Sequence, residues 1–239
     1  DGEVSPVFAP FAERCRKVIA VGPPSHTICF EFDDGKVMMN DTAAVQAVTW
    51  VRLVEVVGLA RLTEMVGAAR LLGIVNWSLL GGVPGIWRGL TDDVLPQLAP
   101  LTEGEERRLF VDLSDPAKRT DEDIAAMLAL LTRLEEAGLR VTLGLNLSEA
   151  TRIAAVAQAN LPARGNPAQI VACAASLRER LGISACVVHP RDGAAAADSS
   201  GGRAWVDGPF TLSPRRSTGA GDHFNGGFSF AQLHGFPLA

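Results

Sequence analysis

The sequence predicts an α/β fold in which a mostly parallel sheet is covered by helices on both faces, with a small β-hairpin appended. Three observations lead there. Short apolar segments of strand character alternate with longer segments of helical periodicity along most of the chain. One early segment alternates apolar and polar residues about a tight turn. The 239 residues, 47% hydrophobic and 21% charged, are enough for one large core or two small ones.

Taken in order, residues 18–40 alternate around Thr27-Ile28-Cys29-Phe30-Glu31-Phe32, turn at Asp33-Asp34-Gly35 and return through Lys36-Val37-Met38-Met39, a hairpin signature. From Thr49 the period lengthens: Trp50, Leu53, Val54 and Val57 recur at helical spacing, Leu62, Met65 and Val66 continue it, and Leu71 to Trp77 form a compact apolar strand. The alternation then predicts a helix over 85–99, a strand over 108–113, a helix over 121–137, a strand over 140–145, helices over 147–159 and 166–181, and a strand over 183–189. Thr120 supplies a capping oxygen ahead of Asp121-Glu122-Asp123, and Gly138 follows the end of the same helix. Ser199-Ser200-Gly201-Gly202 sits inside a second hairpin over 193–207, and a last helix runs from Gly219 to about His234. No Pro-, Gly- and Ser-rich linker divides the chain, so one α/β domain over 1–239 is expected.

Composition narrows the function. A net charge of −5 argues against a broad basic face for nucleic acid, so any anionic ligand must be held locally. The four cysteines, at 15, 29, 173 and 186, form no C-x-x-C pair, which speaks against a zinc ribbon or a disulfide framework and fits a cytoplasmic location. No run of roughly 18 or more apolar residues signals a membrane span. The four histidines show neither H-E-x-x-H nor paired spacing with cysteine, and G-x-S-x-G, Walker and dinucleotide-binding patterns are all missing.

The segment Thr218-Gly219-Ala220-Gly221-Asp222 lies between a polar, proline-containing loop and an apolar helix carrying Phe224, Phe228, Phe230 and Leu233. Small residues let backbone N–H groups at a helix start approach a ligand, and the helix dipole favours an anion there. A carboxylate in that first turn is electrostatically wasteful beside a phosphate unless it serves an incoming hydroxyl, which points to Asp222 as a base. The alternative is that the glycines pack and cap a helix while Asp222 complements its dipole. A second segment, Asn146-Leu147-Ser148-Glu149, follows the strand Val141-Thr142-Leu143-Gly144-Leu145, and by itself reads as a helix cap.

Gly219-Ala220-Gly221-Asp222, Phe224 and Asn225-Gly226 together resemble the C-terminal signature of the ribokinase-like, PfkB-type carbohydrate kinases, and Asn146-x-x-Glu149 resembles that family's N-x-x-E motif. The resemblance implies a ribokinase-like three-layer α/β/α sandwich with a mostly parallel central sheet, present as a truncated copy, with residues 18–40 as part of a β-lid. It implies an ATP-dependent transfer of the γ-phosphate to a hydroxyl of a sugar or sugar-like molecule. Asp222 would be the general base and the backbone of Gly219, Ala220 and Gly221 the anion hole. Asn146 and Glu149 would organise Mg²⁺ through water, and Thr218, Asn225, His189 and Gly193 would meet the nucleotide. Pairing of two chains through the β-lid is implied as well.

The sequence departs from the pattern in three places. The family's T-x-G-x-x-G turn aligns with His189-Pro190-Arg191-Asp192-Gly193-Ala194. The acidic residue that commonly precedes G-A-G-D is missing from Pro214-Arg215-Arg216-Ser217, so potassium dependence is not expected. The N-terminal strand and G-G segment that hold the sugar, and the stretch that completes the nucleotide pocket, are not found. These departures keep open a non-catalytic binding relative or an inactive fragment of such a kinase. The segment Phe110-Val111-Asp112-Leu113-Ser114-Asp115-Pro116-Ala117-Lys118-Arg119 resembles the family's strand-end segment with an acidic residue and a downstream arginine, in which Arg119 is a phosphate contact or a solvated helix-start charge; Asn76, Trp77 and Ser78 are sugar contacts or, for Trp77, core.

Overall fold

The structure, a computed structural model, describes residues 4–33, 35–213 and 218–238. Asp34 of the first hairpin turn and residues 214–217 ahead of the glycine loop lie outside the described residues. The chain divides into two compact units, Asp1–Gly67 with Leu79–Leu98, and Ala68–Ser78 with Ala99–Ala239. The division is discontinuous and no linker marks it, so the sequence alone reads as a single domain.

In the first unit a short helix α1 (Ala9–Ala12) precedes an antiparallel hairpin of β1 (His26–Phe32) and β2 (Gly35–Asp41), as the alternation predicted. The pairs Ile28 with Met39 and Phe30 with Val37 place apolar side chains on one face of the ribbon, and all four are exposed. After α2 (Ala43–Gln46), the helical stretch beginning at Thr49 is two helices, α3 (Trp50–Val57) and α4 (Leu59–Ala68). Thr49 caps the first by accepting from the Arg52 N–H at 3.2 Å. Gly58, at φ +85°, ends it, because the left-handed region there suits only a residue without Cβ. The helix expected over 85–99 is shorter: α5 (Val83–Gly89) loosens into a π turn (Leu90–Val94) and then a 3₁₀ turn (Leu95–Gln97) that contains Pro96, which has no N–H to continue an α-helical ladder. Trp50 lies so close to Gly89 that a Cβ there would come within 2.1 Å of its ring, and the indole N–H donates to Asp93 at 2.8 Å.

The second unit carries the sheet. Its strands are β3 (Leu71–Ile74), β4 (Arg107–Asp112), β5 (Leu139–Leu145), β6 (Ala185–Val188), β7 (Gly193–Asp198) and β8 (Arg203–Asp207), adjacent in that order. The first four pair in parallel and the last two antiparallel, which is the mostly parallel sheet expected. β3 stops at Ile74, short of the predicted Trp77, because Asn76 turns out of the strand at φ +67°. Helices α6 (Asp121–Glu136), α7 (Leu147–Ala157) and α8 (Pro167–Leu181) pack together against the sheet, and α9 (Ala220–Leu233) covers its other face, giving the three layers.

The period of two decides which residues meet α9. Phe110 and Asp112 of β4 stand opposite Thr142 and Gly144 of β5, and Gly144 stands opposite Val187 of β6. These positions share the α9 face, where Phe228 lies tilted against Phe110 with ring centroids 6.4 Å apart and Phe224, Leu71 and Leu238 close over Phe110, Val187 and Ala196. The intervening residues Leu109, Val111, Val141 and Leu143 are fully buried, under the other helices. At the opposite end of the strands, Glu135 near the end of α6 accepts from the N–H groups of Val141 and Ser184, both at 2.8 Å, and so ties the starts of two strands to one helix.

Candidate active site

The polar residues gather at the carboxyl ends of β4, β5 and β6 and at the start of α9, the crevice where open α/β sheets receive ligands. Gly219 takes φ +90° as the residue before α9, a conformation that an L side chain rarely adopts. The first helical bond runs from the His223 N–H to the Gly219 carbonyl, so the N–H groups before it have no acceptor within the helix. The His223 ring closes on the same carbonyl, with Nδ1 at 2.7 Å, and so fills the helix start. Asp222 stands exposed in the first turn. Together with Asn225 on the same helix face it lines a crevice of about 440 Å³ whose other wall includes Leu71, Gly73 and Phe110. The larger hollow of the first unit, about 610 Å³, is lined by apolar residues such as Phe8, Phe11 and Ile19, with Arg52 its single charged side chain.

Asn146 and Glu149 form a complete capping box at the start of α7: the Asn146 side chain accepts from the Glu149 N–H at 3.0 Å and Glu149 Oε2 accepts from the Asn146 N–H at 2.9 Å. The other carboxylate oxygen of Glu149 accepts from the Asp115 N–H at 3.0 Å. That bond holds a loop in which both Ser114 and Asp115 occupy the left-handed region, at φ +56° and +67°. Two consecutive non-glycine residues there store strain that the surroundings must offset. Burial raises the Glu149 carboxyl above the ordinary glutamate range, against its two N–H donors, and the nearby charges of Asp112 and Asp115 raise it further.

Asp112 lies in the strand-end segment 110–119, whose acidic residue resembles the family's pattern, but the sequence assigned it no role. It ends β4, where Oδ1 accepts from the Ser114 N–H at 2.9 Å and Oδ2 accepts from Asn225 Nδ2 at 2.6 Å. The sequence could not supply its partner, which lies 113 positions away.

His189 follows β6, and its ring lies tilted against Phe224 with centroids 4.5 Å apart. It lies under the glycine loop, since a Cβ on Gly221 would come within 3.8 Å of it. Burial lowers its pKa below the ordinary histidine value, partly offset by the Asp112 charge. The structure therefore joins Asp112, Asn225, Glu149, Asn146, His189 and the 219–222 turn in one connected group, with Thr218 exposed at the mouth of that turn. Gly193 takes no part in the contacts that join this group. It opens β7 against β8, where any Cβ would meet the Trp205 ring at 2.4 Å, so its smallness serves the hairpin. Arg119 donates from Nε to the Ser78 carbonyl at 3.0 Å and lies over the Trp77 ring at 5.2 Å. Its guanidinium is thus engaged within the fold, and Trp77, at 2% exposure, is core.

Among the described residues no three histidine, cysteine, aspartate or glutamate side chains converge closely enough to ligate a metal directly. Glu149, raised first by burial and then by the charges of Asp112 and Asp115, would act on a hydrated cation only through water.

The chain matches the prokaryotic ketohexokinase family over residues 3–238. It is 31% identical over 230 residues to a ketohexokinase from Haloferax volcanii, an alignment that covers 95% of this chain and 58% of that protein. The chain therefore spans somewhat over half the length of the curated relative it matches. Among solved structures, the ribokinase of Thermotoga maritima superposes with a TM-score of 0.54 at 13% identity, over 90% of this chain and 58% of that one, a likeness of fold. With the glycine loop, the N-x-x-E box and the three-layer sheet in place, the match over nearly its whole length makes this chain a member of the prokaryotic ketohexokinase family, built on a ribokinase-like fold.

Proposed function

We propose that the protein is a sugar kinase that uses ATP and Mg²⁺ to phosphorylate a hydroxyl of a ketohexose, with Asp222 as the general base. The observation that carries this reading is the placement of Asp222 in the first turn of α9, directly after the glycine turn and facing the crevice. A hydroxyl hydrogen-bonded to Asp222 gives up its proton as it attacks, and the N–H groups of Gly219, Ala220 and Gly221 take the charge of the phosphoryl group. Asn146 and Glu149 would hold Mg²⁺ through its waters, and the ion would supply charge neutralisation at the nucleotide phosphates. His189 and Thr218 line the nucleotide side, while the Asn225 amide, 8% exposed, is engaged by Asp112. The family match favours a ketohexose over other sugars. The exposed apolar face of the β1–β2 ribbon supports pairing of two chains through that ribbon.

The test is turnover. Ketohexoses, aldohexoses and nucleosides are each incubated with ATP and Mg²⁺, and ADP release is followed. Phosphorylation of a ketohexose is expected, and nucleotide binding with no turnover of any acceptor would replace the reading with a binding relative. Asp222→Asn is expected to remove turnover while leaving ATP affinity nearly unchanged, and normal kcat in that variant would remove Asp222 from the base role.

A further inference from the structure

Helix α9 must present Asp222 at a fixed angle, and most of what holds it to the sheet is apolar. Phe228 near Phe110 and Phe224 on His189 bury area, and such contacts are non-directional. Among the described residues two directional contacts tie α9 to the sheet. Gln232 Nε2 donates to Thr142 Oγ1 at 3.0 Å, and Asn225 Nδ2 donates to Asp112 Oδ2 at 2.6 Å. Gln232 lies ten residues beyond Asp222, roughly 15 Å along the axis, and anchors the far end. Asn225 lies three residues beyond it on the same face of the helix.

Both members of the Asn225–Asp112 pair are themselves fixed. Asn225 is 8% exposed, and its Oδ1 has no partner among the described residues and faces Gly144, where an added Cβ would lie 3.5 Å away. A buried amide left half satisfied carries a cost, and the bond that retains it here is charge-assisted. Asp112 is clamped from the other side by Ser114, within the left-handed loop that Glu149 holds at Asp115.

We propose that Asp112 is a positioning residue: through the Asn225 amide it sets the rotation of α9 and so the aim of Asp222. The inference rests on the reading of Asp222 as the base. Asp112 itself touches neither substrate nor phosphate in this role; it transmits the geometry of the strained loop to the catalytic turn.

The test is an exchange of the two side chains in the full chain. Asn225→Asp sets two carboxylates against each other and is expected to lower kcat about 10²-fold with little change in the KM for ATP, the scale of loss that a misplacement of about 1 Å produces. Asp112→Asn combined with Asn225→Asp restores a donor facing an acceptor, and kcat is expected to return to within several-fold of wild type. Gln232→Leu, which loosens only the far end, is expected to lower the melting temperature and spare kcat. A folded double variant as slow as Asn225→Asp alone would overturn the proposal, since it would mean that each side chain acts independently of the other. Hydrogen exchange over residues 219–227 gives a second readout that does not depend on turnover. Faster exchange in Asn225→Asp, reversed in the double variant, supports positioning, and unchanged exchange in both overturns it. Should the wild-type protein phosphorylate no sugar, the functional reading fails while the exchange experiment still decides the positioning role.

Discussion

Replacing Gly144 with alanine adds one methyl group where the sheet and α9 meet most tightly. The new Cβ would lie 2.5 Å from Phe110 Cζ and 2.9 Å from Cε1. Carbon atoms rest about 3.5–4.0 Å apart, so the ring would have to retreat by roughly 1 Å. It has little room to do so, being 3% exposed and enclosed by Val187, Ala196, Phe224 and Phe228. Overpacking of this kind costs about 1–3 kcal/mol. Relief of the glycine's unfolded-state entropy returns about 0.5–1 kcal/mol. The net loss is about 0–2.5 kcal/mol, centred on about 1 kcal/mol, which for a chain of this size lowers the melting temperature by about 2–4 °C. Gly227 is the internal control: it is also a glycine of this layer, but a Cβ there meets nothing within 4 Å. Gly227→Ala is therefore expected to stabilise, by about 0.5–1 kcal/mol as for any exposed helical glycine. Phe110→Leu shortens the obstructing ring, so its cost is expected to be smaller in the Gly144→Ala background than in wild type. Thermal and urea unfolding of the four variants measure all of this. A Gly144→Ala protein as stable as wild type, or strictly additive effects with Phe110→Leu, would refute the packing argument.

The Glu149 carboxyl is raised first by burial and then by Asp112 and Asp115, so the folded chain binds its proton more tightly than the unfolded chain does. Its contribution to stability is greatest below the ordinary glutamate pKa and is withdrawn as pH rises through the raised value. Glu149→Gln lacks that titration, so its stability relative to wild type is expected to improve from about pH 4 towards neutrality. Urea midpoints across that range test the sign, and a flat or opposite trend counts against it. Glu135→Ala leaves the N–H groups of Val141 and Ser184 without their acceptor and is expected to cost about 2–4 kcal/mol in chemical unfolding. Thr120→Ala removes the bond from the Asp123 N–H that starts α6 and is expected to cost about 1 kcal/mol.

Signals that act within a few residues were legible in the sequence. Thr120 capping α6, Gly138 at φ +97° ending it, the β1–β2 register about Gly35 and the Gly219 turn at the head of α9 all lie where local chemistry put them. A local signal missed was Gly58, whose break between α3 and α4 was visible in the sequence but hidden by an unbroken apolar period. The same holds for Pro96, at which the helical ladder after α5 gives way.

The candidate site divides along the same line. The sequence by itself determined that a glycine turn carrying Asp222 heads a helix and that Asn146 and Glu149 head another, because caps and turns need only neighbours in the chain. Tertiary structure alone decided that Glu149 spends its second oxygen on Asp115, that Arg119 lies over Trp77, that Gly193 makes room for Trp205, and that Asp112 reaches Asn225. Each of these depends on which strand lies beside which and on which face a period of two turns inward. Those facts are set by the whole sheet closing around its core, and they have no trace in any local stretch of residues.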